Sequence, residues 1–144
     1  MRDWVGAKGA VLLGDDLLTT LRDDFPHIPF PGCWDFVGGG REGEETPRET
    51  LIREAREEVG LDLSWAEWLW ESPFPAMIDP SRTSWFFVLR LPPWEARRIV
   101  MADEGQGWML VRPERFLSMP KAVPSLQDRL KVWLDGLGEA ARGT

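Results

Sequence analysis

Three glutamates, Glu54, Glu57 and Glu58, stand at spacings i, i+3 and i+4. In an α-helix those spacings bring side chains out on one face, at about 100° of rotation per residue. Like charges so placed repel one another and weaken the helix, so the cluster needs a compensating charge. A hard divalent cation such as Mg²⁺ supplies it, because such ions take oxygen ligands. A solvated acidic helix face is the plainer alternative, and the neighbouring residues must decide between the two. Upstream lie three consecutive glycines, Gly38 to Gly40. Glycine permits positive φ and lets backbone approach a ligand closely. Read as a loop just before an acid-faced helix, they point to metal-assisted phosphoryl chemistry. That loop lacks the Gly-Lys-Ser/Thr ending of a P-loop, and a single GGG is no dinucleotide fingerprint.

The elements that must position these groups are legible around them. Thr46-Pro47-Arg48-Glu49 predicts a helix start, with Thr46 as N-cap, Pro47 in the first turn and Glu49 closing a capping box. Leu51, Ile52, Ala55 and Val59 form an apolar stripe, and Gly60 ends the helix. The acids project away from the centre of that stripe, and Arg53 is spaced to pair with Glu57. Before the helix, Trp4–Leu13 and Leu17–Arg22 read as a hairpin across Gly14-Asp15-Asp16, and Trp34–Val37 as a short strand leading into the glycines. Between them runs a surface loop, residues 23–32, carrying prolines at 26, 29 and 31. Downstream, Trp65–Glu71, Ser84–Leu91 and Trp108–Val111 read as strands, with residues 72–82 turn-rich and 101–106 a polar loop. Pro113–Leu117 suggests one helical turn. Ser125–Leu137 reads as an amphipathic helix capped by Ser125 with Asp128, turning Leu126, Leu130, Trp133, Leu134 and Leu137 inward. Strands, helix, strands and helix in that order predict an α/β fold, a mixed sheet covered by helices on its two faces.

Composition sets outer bounds. The chain of 144 residues, 43% hydrophobic and 28% charged, fits one domain spanning residues 1–144. A net charge of −7 argues against general affinity for duplex nucleic acid or anionic membranes. Nucleotides remain open, because a bound metal inverts the local field. No apolar run approaches the ~20 residues that span a bilayer, and the first residues lack a signal-peptide profile. The single cysteine, Cys33, excludes an internal disulfide and a Cys-rich zinc site, and the expected compartment is the cytoplasm.

The string Gly39-x5-Glu45-x7-Arg53-Glu54-Ala55-x-Glu57-Glu58-x-Gly60-Leu61 resembles a complete Nudix box, nine positions at fixed spacing over 23 residues. Trp34-Asp35-Phe36 resembles the usual lead-in, and the element order resembles the Nudix α/β/α sandwich. Val37 stands where many members carry proline, which alters stiffness more than chemistry. The resemblance implies Glu54, Glu57 and Glu58 as metal-binding carboxylates, joined by the Gly39 carbonyl, with Mg²⁺ or else Mn²⁺ as cofactor. It implies Glu45 and Arg53 as residues that orient those acids. The general base varies between members. It is a glutamate of the box or one from a late loop, for which Glu104 is the candidate and Asp103 its rival. The implied activity is Mg²⁺-dependent hydrolysis of a diphosphate linkage in a nucleoside diphosphate joined to a further group. The alternative is a catalytically silent Nudix-fold nucleotide sensor, against which the intact set of acids counts. An isoprenoid diphosphate isomerase would need additional catalytic residues that have no place here. The absence of tyrosine disfavours dinucleoside polyphosphates. A homodimer is in keeping with many relatives.

Beyond the box, Arg22 and Arg41 are spaced to touch substrate phosphate, with Asp23 or Asp24 as the plain ion-pair alternative for Arg22. His27 reads as solvated and Cys33 as packed. Trp34 and Trp85 read as core residues rather than an aromatic wall for a base.

Overall fold

A computed structural model describes residues 3–143. The expected hairpin is present: β1 (Trp4–Leu13) and β2 (Asp16–Leu21) pair antiparallel beside the turn, through Leu12 with Leu17 and Leu13 with Asp16. Beyond that point the two strands part, and the segment from Trp34 to Gly40 enters between them. Its first piece, β3 (Trp34–Asp35), pairs with Thr20 and Leu21 of β2. The second, β4 (Val37–Gly40), pairs with Gly6–Gly9 of β1. One strand over Trp34–Val37 was expected; the chain instead changes partner at Phe36.

This corrects the reading of the glycines as a loop. They are strand residues, and glycine is needed there for closeness rather than for a turn. A Cβ on Gly38 (φ 141°) would lie 2.1 Å from the Ala7 carbonyl oxygen, and one on Gly39 would lie 2.6 Å from the Glu54 carboxylate carbon. At Gly38 only hydrogen fits against the backbone, whereas at Gly39 a larger residue would displace the Glu54 carboxylate.

The rest of the sheet is β5 (Glu67–Pro75), β6 (Thr83–Leu91) and β7 (Gly107–Val111). β6 runs parallel to β1, β5 forms the edge beyond it, and β7 flanks β2 on the side away from β1. β5 continues through Pro73 and Pro75, further than the turn-rich sequence suggested, because an edge strand tolerates residues without an N–H. Two short 3₁₀ segments, Leu63–Trp65 and Pro93–Arg98, were not anticipated, being too short to show periodicity.

Alternation along the strands sorts the core into two layers. Ala7, Val11, Leu13, Phe87 and Leu89 face α1 (Pro47–Val59) and its Leu51, Ala55 and Val59. Ala10, Leu12, Phe86 and Val88 face the other way, toward Phe116 of α2 (Pro113–Phe116) and Leu126, Leu130 and Trp133 of α3 (Pro124–Gly143). The result is the expected mixed sheet between helices. α1 has the expected ends: Thr46 and Glu49 form the reciprocal capping box, and Gly60 closes the helix at φ 75°. α3 departs from expectation at both ends. Pro124 already takes a helical position, so Ser125 lies inside the helix, its Oγ buried and unpartnered, and does not cap it. Leu137 is 50% exposed rather than inward. Among the described residues no helix is long and apolar enough to cross a membrane.

Candidate active site

Where β1 and β2 part, the sheet opens into a cleft of about 530 Å³. Lys8 of β1, Thr20 of β2, Asp35 of β3 and Gly38 and Gly39 of β4 line it, together with Glu54 and Glu58 from α1. The loops at residues 22–33 and 101–106 form the outer walls.

The acids of α1 are organised by Arg53. Its Nε lies 2.7 Å from Glu45 Oε2, its Nη1 2.9 Å from Glu54 Oε1 and 3.3 Å from Glu57 Oε2, and its Nη2 donates to the Gly40 carbonyl at 2.8 Å. One guanidinium thus ties the end of β4 to the helix and spaces the glutamates. Glu45 also accepts from the buried Thr50 hydroxyl at 2.8 Å and from the Glu42 amide. The Arg53 bond, opposed by burial and helped by Thr50, holds the Glu45 carboxyl down at about 2. Glu45 and the capping box fix the first turn of α1, and Arg53 transmits that position to Glu54 and Glu57.

Glu58 has a different environment. It points to the sheet and accepts long hydrogen bonds, 3.3 and 3.4 Å, from the Gly38 amide. Burial pushes its carboxyl up to about 8, Lys8 pulls the other way, and Glu54 and Asp35 add to the rise. The acids therefore do not share one exposed face, as the helix spacing alone suggested. Glu58 is partly covered against β4, Glu54 is intermediate, and the Glu57 side chain is 58% exposed in an adjoining recess with Arg53 and Arg56. Among the described residues no three acidic, histidine or cysteine side chains stand close enough together to hold a metal ion as they are.

On the floor of the cleft Asp35 accepts from two cations at one oxygen, Lys8 Nζ and Arg22 Nη1, each at 3.0 Å, while its other oxygen caps the Phe36 amide. Arg22 is therefore in the cleft and pairs with Asp35, rather than with Asp23 or Asp24. Glu104 lines the cleft as well, whereas Asp103 does not. Arg41 is not brought in: its guanidinium stacks on Trp4 at 4.6 Å and its Nε donates to the Gly43 carbonyl. His27 is exposed, as expected, but on the cleft wall. Cys33, Trp34 and Trp85 pack against the core outside the cleft lining. Lys8 and Asp35 were missed by reading the sequence. The signal for Lys8 was available, as the only charge in the apolar run WVGAKGAVLL.

A NUDIX domain profile matches residues 5–134. The CTP pyrophosphohydrolase of Escherichia coli strain K12 is 42% identical over 102 residues, which span 67% of this chain and 70% of that protein. An 8-oxo-dGTP diphosphatase of Proteus vulgaris is 48% identical over 33 residues, spanning 23% of this chain and 30% of that one. The crystal structure of a MutT protein from Methanosarcina mazei Go1 superposes with a TM-score of 0.70 at 16% identity, covering 91% of this chain and 92% of that one. Fold, site and these likenesses define the class, a hydrolase acting on phosphorus anhydrides. The chain belongs to the NUDIX domain family.

Proposed function

We propose that the cleft hydrolyses a diphosphate linkage in a nucleotide, a nucleoside diphosphate joined to a further group, with a divalent cation at Glu54, Glu57, Glu58 and the Gly39 carbonyl. The contact between Gly39 and Glu54 carries this reading. Backbone lies so close to a carboxylate that a Cβ would fill the space, which makes an oxygen-lined cradle. All the donors are oxygens, the set that Mg²⁺ and Mn²⁺ take. Burial raises the Glu58 carboxyl, and a cation bound beside it would draw it back to its charged form, so the all-oxygen donor set suits such an ion. When bound, the cation neutralises the diphosphate and makes a water more acidic.

The chain's own residues supply the rest. Arg53 and Glu45 hold Glu54 and Glu57 in place. Arg22 and Lys8 share the single charge of Asp35, which leaves donor capacity on the cleft floor for phosphate oxygens. Glu104 is the late-loop acid that reaches the cleft, and it accepts the proton of the attacking water in this reading.

The test is a panel of CTP, 8-oxo-dGTP, an ADP-sugar and a pterin triphosphate, each with Mg²⁺, with Mn²⁺ and with neither, scored for phosphate or pyrophosphate release. Metal-dependent turnover of at least one member is expected. Glu57→Gln and Glu58→Gln should each lower kcat by ~10²-fold or more with the circular dichroism of the folded chain retained. Wild-type rates in both variants would overturn the metal assignment. Tight binding without turnover across the panel would favour the nucleotide sensor. Glu104→Gln should also lower kcat by ~10²-fold, against a change within about twofold for Asp103→Asn. The reverse order would move the base to Asp103, and no effect of either would move it to the box.

A further inference from the structure

The rim of the cleft carries an aromatic pair for which phosphoryl chemistry has no use. Phe25 and His27, in the proline-rich loop between β2 and β3, have ring centroids 5.6 Å apart and planes 8° from parallel. Both rings line the cleft, yet Phe25 is 51% exposed. A solitary exposed phenylalanine is ordinary, but this one sits on a tied-down loop. The loop's ends are joined by Arg22 N to Cys33 O and Gly32 N to Asp23 O, both 2.9 Å, and Arg22 Nε donates to the Pro29 carbonyl inside it. Pro26, Pro29 and Pro31 restrict its backbone, and Phe30 is partly buried against the core layer that contains Phe36 and Phe116. Across the cleft mouth, Gly105 N donates to Asp23 Oδ2 at 3.0 Å and Gln106 Nε2 to the Arg22 carbonyl at 2.8 Å, so the two loops brace each other. Among the described residues no side-chain hydrogen bond engages the His27 imidazole. Ile28 and Met101 add apolar surface to the same cleft.

A pair of parallel rings held at the edge of a cleft, with cations and acids deeper inside, matches a ligand that is flat at one end and phosphorylated at the other. We infer that Phe25 and His27 form the stacking platform for the nucleobase of the substrate. This rests on the reading of the cleft as a nucleotide hydrolase site and adds the residues that recognise the base. Stacking is tolerant of base identity, since every base has a π-face. The platform therefore separates a nucleotide from a base-free phosphate ester more than it separates one base from another.

Two measurements test it, with CTP, GTP and the abasic 1′,2′-dideoxyribose 5′-triphosphate as probes. His27 is the only histidine, so its ring protons give one assignable set of proton resonances in the full-length chain. In metal-free buffer CTP and GTP should both shift those resonances upfield, and the abasic probe should not. With metal, Phe25→Ala should raise KM for CTP and GTP about tenfold, with kcat within about twofold and the abasic KM unchanged. Phe25→Trp should restore the wild-type KM. Absence of a base-dependent shift, or an equal rise in KM for the abasic probe, overturns the platform and leaves the hydrolase reading intact. A base-dependent shift in a wild-type protein that hydrolyses none of the panel sustains the platform and overturns the hydrolase reading instead.

Discussion

Burial is what raises the Glu58 carboxyl to about 8 from an ordinary 4.5. Between those two values the folded chain keeps a proton that the unfolded chain has lost, so stability falls as pH rises through that window. Glu58→Gln removes the titration. In metal-free buffer at pH 8 the variant should be more stable than wild type by about 1–2 kcal/mol, roughly 3–6 °C in Tm. At pH 4 the gain should vanish. Thermal melts at the two pH values check this, and equal Tm differences at both would show that Glu58 is not held in a desolvated position. The same substitution should abolish most turnover, so stability and activity move in opposite directions at one residue. Glu45 behaves in the opposite sense. Its carboxyl is held at about 2, so its contribution is complete above about pH 4.5 and is lost as pH falls through 2.

At the scale of elements, the site is a contact between β4 and α1. Gly39→Ala would place a methyl group against the Glu54 carboxylate and push it aside. A displacement near 1 Å costs ~10²-fold in rate, so kcat should fall by that order while Tm changes little, because a flexible side chain can give way. Gly38→Ala meets backbone at the Ala7 carbonyl instead and should lower stability, by about 2 kcal/mol or more, as a strained positive-φ position does. Comparing the two variants by activity and by urea midpoint separates site geometry from strand packing. If Gly38→Ala proved the milder for stability, the close pairing of β1 and β4 would be wrong. Thr46→Ala, which removes the cap of α1, should cost about 1 kcal/mol.

At the scale of the whole molecule, binding and folding are linked. Any ion held only by the folded chain stabilises it, by about 2.7 kcal/mol at a hundredfold excess over Kd. Mg²⁺ or Mn²⁺ should therefore raise Tm of the wild-type protein in a concentration-dependent way. Glu57→Gln should weaken that rise, whereas Arg41→Ala, outside the cleft, should leave it unchanged. Identical metal responses in wild type and Glu57→Gln would place the ion elsewhere. The cleft itself exists because β1 and β2 pair only beside their turn and admit β3 and β4 between them.

By itself the sequence determined what short-range interactions decide. The capping box, the helix and its C-terminal glycine depend on residues within four positions of one another. The box spacing, nine positions over 23 residues, pointed to the family. Long-range pairing decided the remainder. Three glycines that read as a loop are a strand because Ala7 and Lys8 lie against them, contacts some thirty positions distant. Arg22 finds Asp35 rather than its neighbours Asp23 and Asp24 because β2 and β3 pair. Glu104 enters the cleft while Arg41 stays out, which no local pattern distinguishes. Only the parting of two strands, set by packing across the whole sheet, brings Lys8, Asp35 and the aromatic rim to the same acids.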